Sequence, residues 1–336
     1  MALPPRFCLR AVARSHGWYE IPPFSWDDEA RTLALAIQGP RGSVRRLEMR
    51  QGSGRQGSSS RLSLAWISRG QPPGEASARR AREEEGRALA RRVLNLDWAL
   101  GPFFELCVRT PPLAWVPGAG AGWILRGPGL FSDLVSSICG TNIAWKQAVR
   151  MVHRLCDIAP KDPLGALPRY PTPAELLGAG SEHLRGHARL GYRADSVLRL
   201  CEMVMEGRLD LGPAERGELD GPALRGFFQS VPGIGPVTAR YLGALYGRFD
   251  ALAVDSLVLT FLADTRFGGR KPSEAEVQAL FEPFGDLRAL AYWFEFLGAV
   301  DPVTWRGWES EEKVEKARRV GRAVRLERNG QASEQA

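Results

Sequence analysis

Two closely spaced glycines and a downstream carboxylate are the residues of this chain whose types and spacing most readily suggest chemistry. In Val231-Pro-Gly-Ile-Gly-Pro-Val-Thr-Ala-Arg-Tyr241, an apolar segment ending in Phe227, Phe228 and Val231 runs into Pro232-Gly233-Ile234-Gly235. Glycines allow the left-handed backbone of a tight turn and the close approach of another backbone. Pro236 suits the first position of a helix, and Gly247 stands just past its expected end. Thr238, Tyr241, Leu242 and Leu245 keep i, i+3, i+4, i+7 spacing, so this second helix has a packed face. Between the two helices, backbone N–H groups at a helix N-terminus make an anion site of phosphate size, to which Gly233 and Gly235 give access. Asp255 lies twenty positions after Gly235. The run 248–254 reads as extended and 256–263 as helical, which puts Asp255 at a helix start. It is there either as a simple N-cap or as a carboxylate that faces positive charge developing in a reaction.

The elements around these residues must supply a rigid frame. The chain has 336 residues, 44% hydrophobic and 25% charged, enough for a substantial core and two subdomains. Its net charge is +7 and its pI about 9.4. Arginine supplies nearly all the positive charge, since the lysines are only Lys146, Lys161, Lys271, Lys313 and Lys316. A basic surface fits a polyanion partner. No apolar run approaches the roughly 18 residues of a membrane span. No signal-peptide core is evident at the N-terminus, so a cytoplasmic location is expected, on the nucleoid if the source is bacterial. Cys8, Cys107, Cys139, Cys156 and Cys201 lack Cys-x-x-Cys spacing, which argues against zinc and disulfide frameworks. His16, His153, His183 and His187 form no metal motif and read as surface or polar packing residues.

Along the chain, Phe7–Ala13, Leu33–Ile37 and Leu62–Trp66 read as short strands. The Gly/Ser-rich stretch 51–60 reads as a hairpin loop. From Ala76 to Leu96 the sequence becomes charged and helical, with Glu83-Glu84-Glu85 on a solvated face. Leu134 to Cys156 reads as one amphipathic helix after the N-cap pair Ser132-Asp133. Further helices follow at intervals of about 15–25 residues between Pro/Gly loops, the last near Leu287–Leu297. The expected architecture is α+β and mostly α. A small antiparallel β-subdomain (1–75) and a helical connection (76–130) precede a helical core (131–308) and a polar, Arg-rich tail (309–336).

With the hairpin and Asp255, three further blocks resemble the helix-hairpin-helix DNA glycosylases, in particular the 8-oxoguanine and 3-methyladenine branch, over nearly the whole chain. Ser137-Ile-Cys-Gly-Thr-Asn142 looks like the segment whose Asn enters DNA to meet the widowed base. Leu190-Gly-Tyr-Arg-Ala194 matches the wedge loop of the family almost literally. Phe284-Gly285 with Ala289, Trp293 and Phe296 looks like the C-terminal helix that walls the lesion pocket. Ser15-His-Gly-Trp-Tyr19 stands where the family has a turn at the mouth of the pocket. The resemblance implies a helical glycosylase body, duplex DNA with a damaged base as partner, and a monomer. Asp255 becomes the catalytic carboxylate, Tyr192 the wedge, and Asn142 and Arg193 the donors to the partner base, with Arg193 alternatively on a phosphate. Extrusion of a base costs roughly a few kcal/mol, which the wedge offsets by filling the gap. Trp145, Tyr241, Tyr292, Trp293 and Phe296 are candidates for the base pocket, although aromatics at helical spacing are also core formers.

Departures from the family pattern sharpen the reading. Bifunctional members place a lysine nucleophile two residues after the second hairpin glycine, where this chain has Val237, so no lyase activity is expected. The 8-oxoguanine readers carry a glutamine where Tyr292 stands, which favours alkylated purines of the 3-methyladenine type. Excision of 8-oxoguanine is the alternative, and a non-catalytic helix-hairpin-helix DNA-binding module is the alternative of another class. Some members carry a four-cysteine iron–sulfur cluster after the catalytic core; no cysteine follows Cys201, so no cofactor is expected.

Overall fold

The computed structural model describes residues 1–52, 60–68 and 75–300. By contact the chain divides into two units, each made of two stretches, a division the serial segments above do not show. The first unit joins Met1–Trp98 to Trp123–Arg248, and the second joins Ala99–Gly122 to the described residues from Phe249. The expected tail at 309–336 lies outside the described residues.

In the first unit, α1 (Leu9–Ala13) precedes β1 (Phe24–Asp27), β2 (Thr32–Gln38), β3 (Val44–Gln51) and β4 (Leu62–Ile67). The strands form one antiparallel sheet in the order β1-β2-β3-β4. On one face Leu35 pairs with Leu47, and Leu47 with Trp66. Residues 32–36 are buried without alternation, so β2 is covered on both faces. The helix α2 (Ala76–Val93) packs against β4, where the Trp66 indole donates to the Arg82 carbonyl at 2.9 Å. Gly86 admits that ring, since a Cβ there would lie 2.9 Å from the indole nitrogen. Asp162, whose side chain is fully buried, accepts from Arg46 of β3 at 2.9 Å and from the Ala166 N–H at 2.9 Å, and so ties the sheet to the loop before the later helices.

The second unit begins with α3 (Gly101–Arg109) and α4 (Trp115–Ala119). The first unit resumes with α5 (Leu130–Cys139), α6 (Trp145–Cys156), α7 (Pro173–Gly186), α8 (Arg193–Met205), α9 (Gly212–Glu215), α10 (Gly221–Gln229) and α11 (Pro236–Leu245). The second unit ends with α12 (Ser256–Arg266), α13 (Glu274–Phe281) and α14 (Arg288–Val300). Among the described residues the structure is thus α+β and mostly α, as the sequence pattern predicts.

Three local expectations are corrected. Phe7–Ala13 is not a strand: Leu9–Ala13 is a short helix whose first N–H is taken by the Gln51 side chain at 2.6 Å. That partner is 42 residues away in sequence, so no local pattern announces it. The single helix expected over Leu134–Cys156 is two, because Gly140–Asn142 breaks it and Asn142 takes a left-handed backbone (φ 49°). Asp133 is not the N-cap of α5, a place held by Gly129; it sits buried in the first turn.

Candidate functional site

The hairpin forms as its glycines require. The N-cap of α10 is Asp220, whose carboxylate accepts the Ala223 N–H at 2.8 Å. Phe228, Val231 and Ile234 anchor the turn in the core, while Gly233 and Gly235 remain exposed. Gly233 has φ 85°, and a Cβ there would lie 2.9 Å from the Ser196 side chain of α8. Both the conformation and the close approach therefore demand glycine. Pro236 opens α11, and its N-cap Gly235 offers no side-chain cap, so the exposed first turn keeps its N–H groups for an outside acceptor. At the other end, Gly247 (φ 80°) donates to the Ala244 carbonyl and Arg248 to the Gly243 carbonyl at 2.9 Å, a Schellman stop.

A second cluster joins the α5–α6 break to the start of α8. Tyr192 is 61% exposed and Asn142 is exposed, whereas Arg193 is only 6% exposed. The Arg193 guanidinium turns inward: its Nε donates to the Thr141 carbonyl at 3.1 Å and its Nη2 to the same oxygen. It also lies under the Tyr192 ring, 4.6 Å from the centroid. The Asn142 side chain, with smaller contributions from Thr141 and the Arg193 cation, draws the Tyr192 phenol below its usual pKa. Tyr192, Asn142 and Arg193 are thus brought together, but Arg193 is spent on the protein rather than held out toward a partner.

A third group gathers aromatic rings. Trp145 lies flat on Trp18, with centroids 5.8 Å apart and planes at 9°. Gly17 makes room, since a Cβ there would be 2.3 Å from the Trp145 ring. Tyr241 meets Trp18 edge-on at 5.9 Å. The polar atoms of the group are used internally: Trp145 Nε1 donates to Glu20 at 2.6 Å, Trp18 Nε1 to Asp133 at 2.6 Å, and Tyr246 Oη to Asp133 at 2.9 Å. Burial pushes the Asp133 carboxyl up to about 6, against the pull of those donors and of Arg126. Burial drives His16 down to about 4, so the ring is neutral at pH 7. Because His16 Nε2 meets the Leu125 carbonyl, that nitrogen carries the proton. His16 Nδ1 then accepts from the Tyr241 hydroxyl at 3.1 Å. Of the residues that build this wall, His16 and Trp18 fall in the turn that the resemblance put at the mouth of the pocket, whereas Asp133 and Tyr246 escape sequence reasoning. A lone charge on α5, whose other residues are apolar or serine, is the one signal that could have revealed Asp133.

In the second unit, Asp255 caps α12, accepting the Val258 N–H at 2.9 Å, and is exposed. Tyr292 and Phe296 of α14 are buried, at 5% and 8% exposure. Tyr292 meets Phe281 edge-on at 5.6 Å and stacks on Phe296, which meets Phe261 of α12 at 5.3 Å. Trp293 is half-buried beside Phe296 at 6.3 Å. Burial and then the charge of Asp255 push the Tyr292 phenol well above its usual pKa. Asp255 therefore stands in a field shared with α14. Among the described residues, no three His, Cys, Asp or Glu converge as a metal site would require, and no helix is long and apolar enough to cross a membrane.

No protein-family model and no curated protein sequence matches the chain. Solved structures do. MBOgg1 in complex with a low-affinity DNA ligand superposes with a TM-score of 0.65 at 18% identity, over 87% of this chain and 91% of the other. The Clostridium acetobutylicum 8-oxoguanine glycosylase/lyase, in complex with double-stranded DNA containing cytosine opposite 8-oxoguanine, gives a TM-score of 0.66 at 17% identity, over 89% of this chain and 93% of the other. Its apo form gives 0.64 at 17% identity, over 87% and 93%. The chain has the helix-hairpin-helix DNA glycosylase fold. Within that fold the hairpin is 231–235, Val237 follows it, and Tyr241 lies one helical turn beyond on the same face of α11.

Proposed function

We propose that this protein is a monofunctional DNA glycosylase that removes alkylated purines of the 3-methyladenine type from duplex DNA. The observation that carries the reading is that one chain holds an uncapped, exposed glycine hairpin in its first unit, an exposed Asp255 at the start of α12 in its second, and no amine at Val237. The hairpin N–H groups take one DNA phosphate. Tyr192 enters the gap left by the extruded base, and Asn142 meets the orphaned partner.

Cleavage breaks the bond between C1′ and the purine nitrogen, and the electron pair leaves with the base. Positive charge spreads over the sugar, as in other glycoside hydrolyses. Asp255 faces that charge, supported by the helix N-terminus, and takes the proton of the water that adds to C1′. A cationic N-alkylpurine leaves as a neutral base, so no separate acid is needed. Ring faces suit such a cation, at about 0.5–2 kcal/mol each. Trp145 and Tyr241, half-buried, offer such faces, with the Trp145 N–H already committed to Glu20.

The test is single-turnover excision on duplexes containing 8-oxoguanine opposite cytosine, set beside release of 3-methyladenine and 7-methylguanine from methylated DNA. Faster release of the methylated bases is expected, and faster release of 8-oxoguanine would reverse the substrate assignment. Borohydride during turnover should trap no covalent protein–DNA adduct. A strong trapped band would reveal an amine nucleophile and remove the monofunctional assignment. Binding of lesion duplexes without excision of any base would leave only a DNA-binding module.

A further inference from the structure

We propose that Arg193 is a positioning residue that assembles Tyr192 and Asn142 into one preformed insertion element, and that the protein consequently reads the base opposite the lesion only weakly. The inference rests on the glycosylase reading and goes beyond it.

The placement of Arg193 carries the argument. It is the first residue of α8, where the positive end of the helix dipole disfavours a cation. Its guanidinium instead reaches the Thr141 carbonyl, just beyond the C-terminal end of α5, where carbonyls lack helical partners and a cation is favoured. Two donors converge on that one oxygen, the side chain is 6% exposed, and its flat face lies against the Tyr192 ring at 4.6 Å. One cation therefore fixes the backbone immediately before Asn142 and the ring of Tyr192 together. Turning outward to a base edge would strip the Thr141 carbonyl of charge-assisted donors and remove the support beneath the ring.

What remains to meet the orphaned base is Asn142, exposed, with φ 49°. An amide carries both donor and acceptor atoms. It can satisfy part of the edge of any of the four bases. A guanidinium carries donors alone and would select among them. The arrangement thus supports duplex insertion with little preference for the partner.

The test uses the full-length protein and duplexes bearing a tetrahydrofuran abasic analogue opposite A, C, G or T, with undamaged duplex and single strand as references. For wild type, affinities for the four analogue duplexes should lie within about threefold of one another, and all should exceed that for undamaged duplex. Arg193→Met should weaken all four by roughly tenfold, leave the undamaged duplex and single strand unchanged, and Arg193→Lys should recover part of the loss. A general loss of folded protein would instead lower every affinity alike. A wild-type preference of more than tenfold for one partner, abolished by Arg193→Met, would make Arg193 a base reader and overturn the proposal. Equal affinities of Arg193→Met and wild type would remove the positioning role. Failure of wild type to prefer any analogue duplex over undamaged DNA would instead strike the glycosylase reading on which the proposal stands.

Discussion

The glycine hairpin and the aromatic group lie in the same unit and share α11, yet they are specified by opposite means. The hairpin is written locally. Gly233, Gly235 and Pro236 fix its path within four positions, and Val231 and Ile234 pin it to the core. The aromatic group is written at long range, through Trp18 on Asp133, Asp133 on Tyr246, and His16 between Leu125 and Tyr241. Asp255 of the second unit belongs with the hairpin in this respect, since its partner Val258 is three residues on. Locally specified parts present backbone and charge, whereas the long-range part presents ring faces whose polar atoms are already satisfied. The contrast predicts that substitutions of exposed groups in the first class, such as Asp255, change binding or chemistry with little loss of fold, and that substitutions of the buried polar groups in the second, Asp133 and His16, change stability.

Asp255→Asn gives the largest expected effect. Asparagine caps a helix about as well as aspartate, so the melting temperature should stay near that of wild type. Excision should fall by at least about 100-fold, as for loss of one group that stabilises charge in the transition state. Retained activity would take Asp255 out of the mechanism and leave it as a cap alone.

The aromatic group should reveal itself through pH. Asp133 is raised from 3.8 to about 6 by burial, so the folded state holds its proton more tightly than the unfolded chain. Its contribution is fully present below pH 3.8 and is lost as pH rises through 6. His16 is lowered from 6.5 to about 4, so its contribution is present above pH 6.5 and is lost as pH falls toward 4. Each spans about two units, of order 3 kcal/mol, over nearly the same window and with opposite sign. The two therefore offset each other's pH dependence. Asp133→Asn should leave stability that rises from pH 4 to 6.5, and His16→Gln stability that falls over it. Urea denaturation at several pH values measures both slopes, and parallel profiles for the two variants would break the assignment.

These two modes of specification explain what could be read in advance. The hairpin, the start of α11, its Gly247 stop and the Asp255 cap follow from residues within a few positions of each other, and the structure has all of them. The strands around Leu33–Ile37 and Leu62–Trp66 were visible in their apolar runs, but β1 and β3, richer in polar residues, were not. The helix at Leu9–Ala13 needed Gln51 to be seen. Arg193 looked like a donor for DNA because Leu190-Gly-Tyr-Arg-Ala194 resembles the wedge loop of the glycosylases, and only the position of the Thr141 carbonyl shows where the guanidinium goes. Asp133 looked like a cap because it follows Ser132, while its partners lie at positions 18 and 246.

Within the hairpin the two glycines should behave differently. Gly233→Ala meets both a left-handed φ, at a cost of about 1–2 kcal/mol, and the Ser196 side chain. It should lower the melting temperature and weaken duplex binding by about tenfold, near the factor that 1.4 kcal/mol represents. Gly235 has φ −89° and open space where a Cβ would stand. Gly235→Ala should keep most of the stability and lose affinity only because a methyl group crowds the phosphate. Equal stability losses in both variants would contradict the distinction between a turn that needs glycine to fold and a cap that needs it to bind.

Only a small effect on stability is expected at Tyr192, where the comparison is most easily broken. An exposed ring contributes little to folding, so Tyr192→Ala should change unfolding free energy by less than about 1 kcal/mol, against 3–5 for truncation of a buried aromatic. Some loss remains because the ring lies over Arg193. Binding should change in a selective way. The ring's proposed place is a gap in a duplex, so affinity for lesion-containing duplex should drop several-fold while single-strand affinity holds. Arg193 stays clamped to Thr141 in this variant, so the backbone before Asn142 keeps its place while the Asn142 amide loses its Tyr192 partner, and partner-base tolerance should persist. A large loss of melting temperature with unchanged duplex preference would assign Tyr192 to the folding core, and with it the loop at 190–194 to the long-range class.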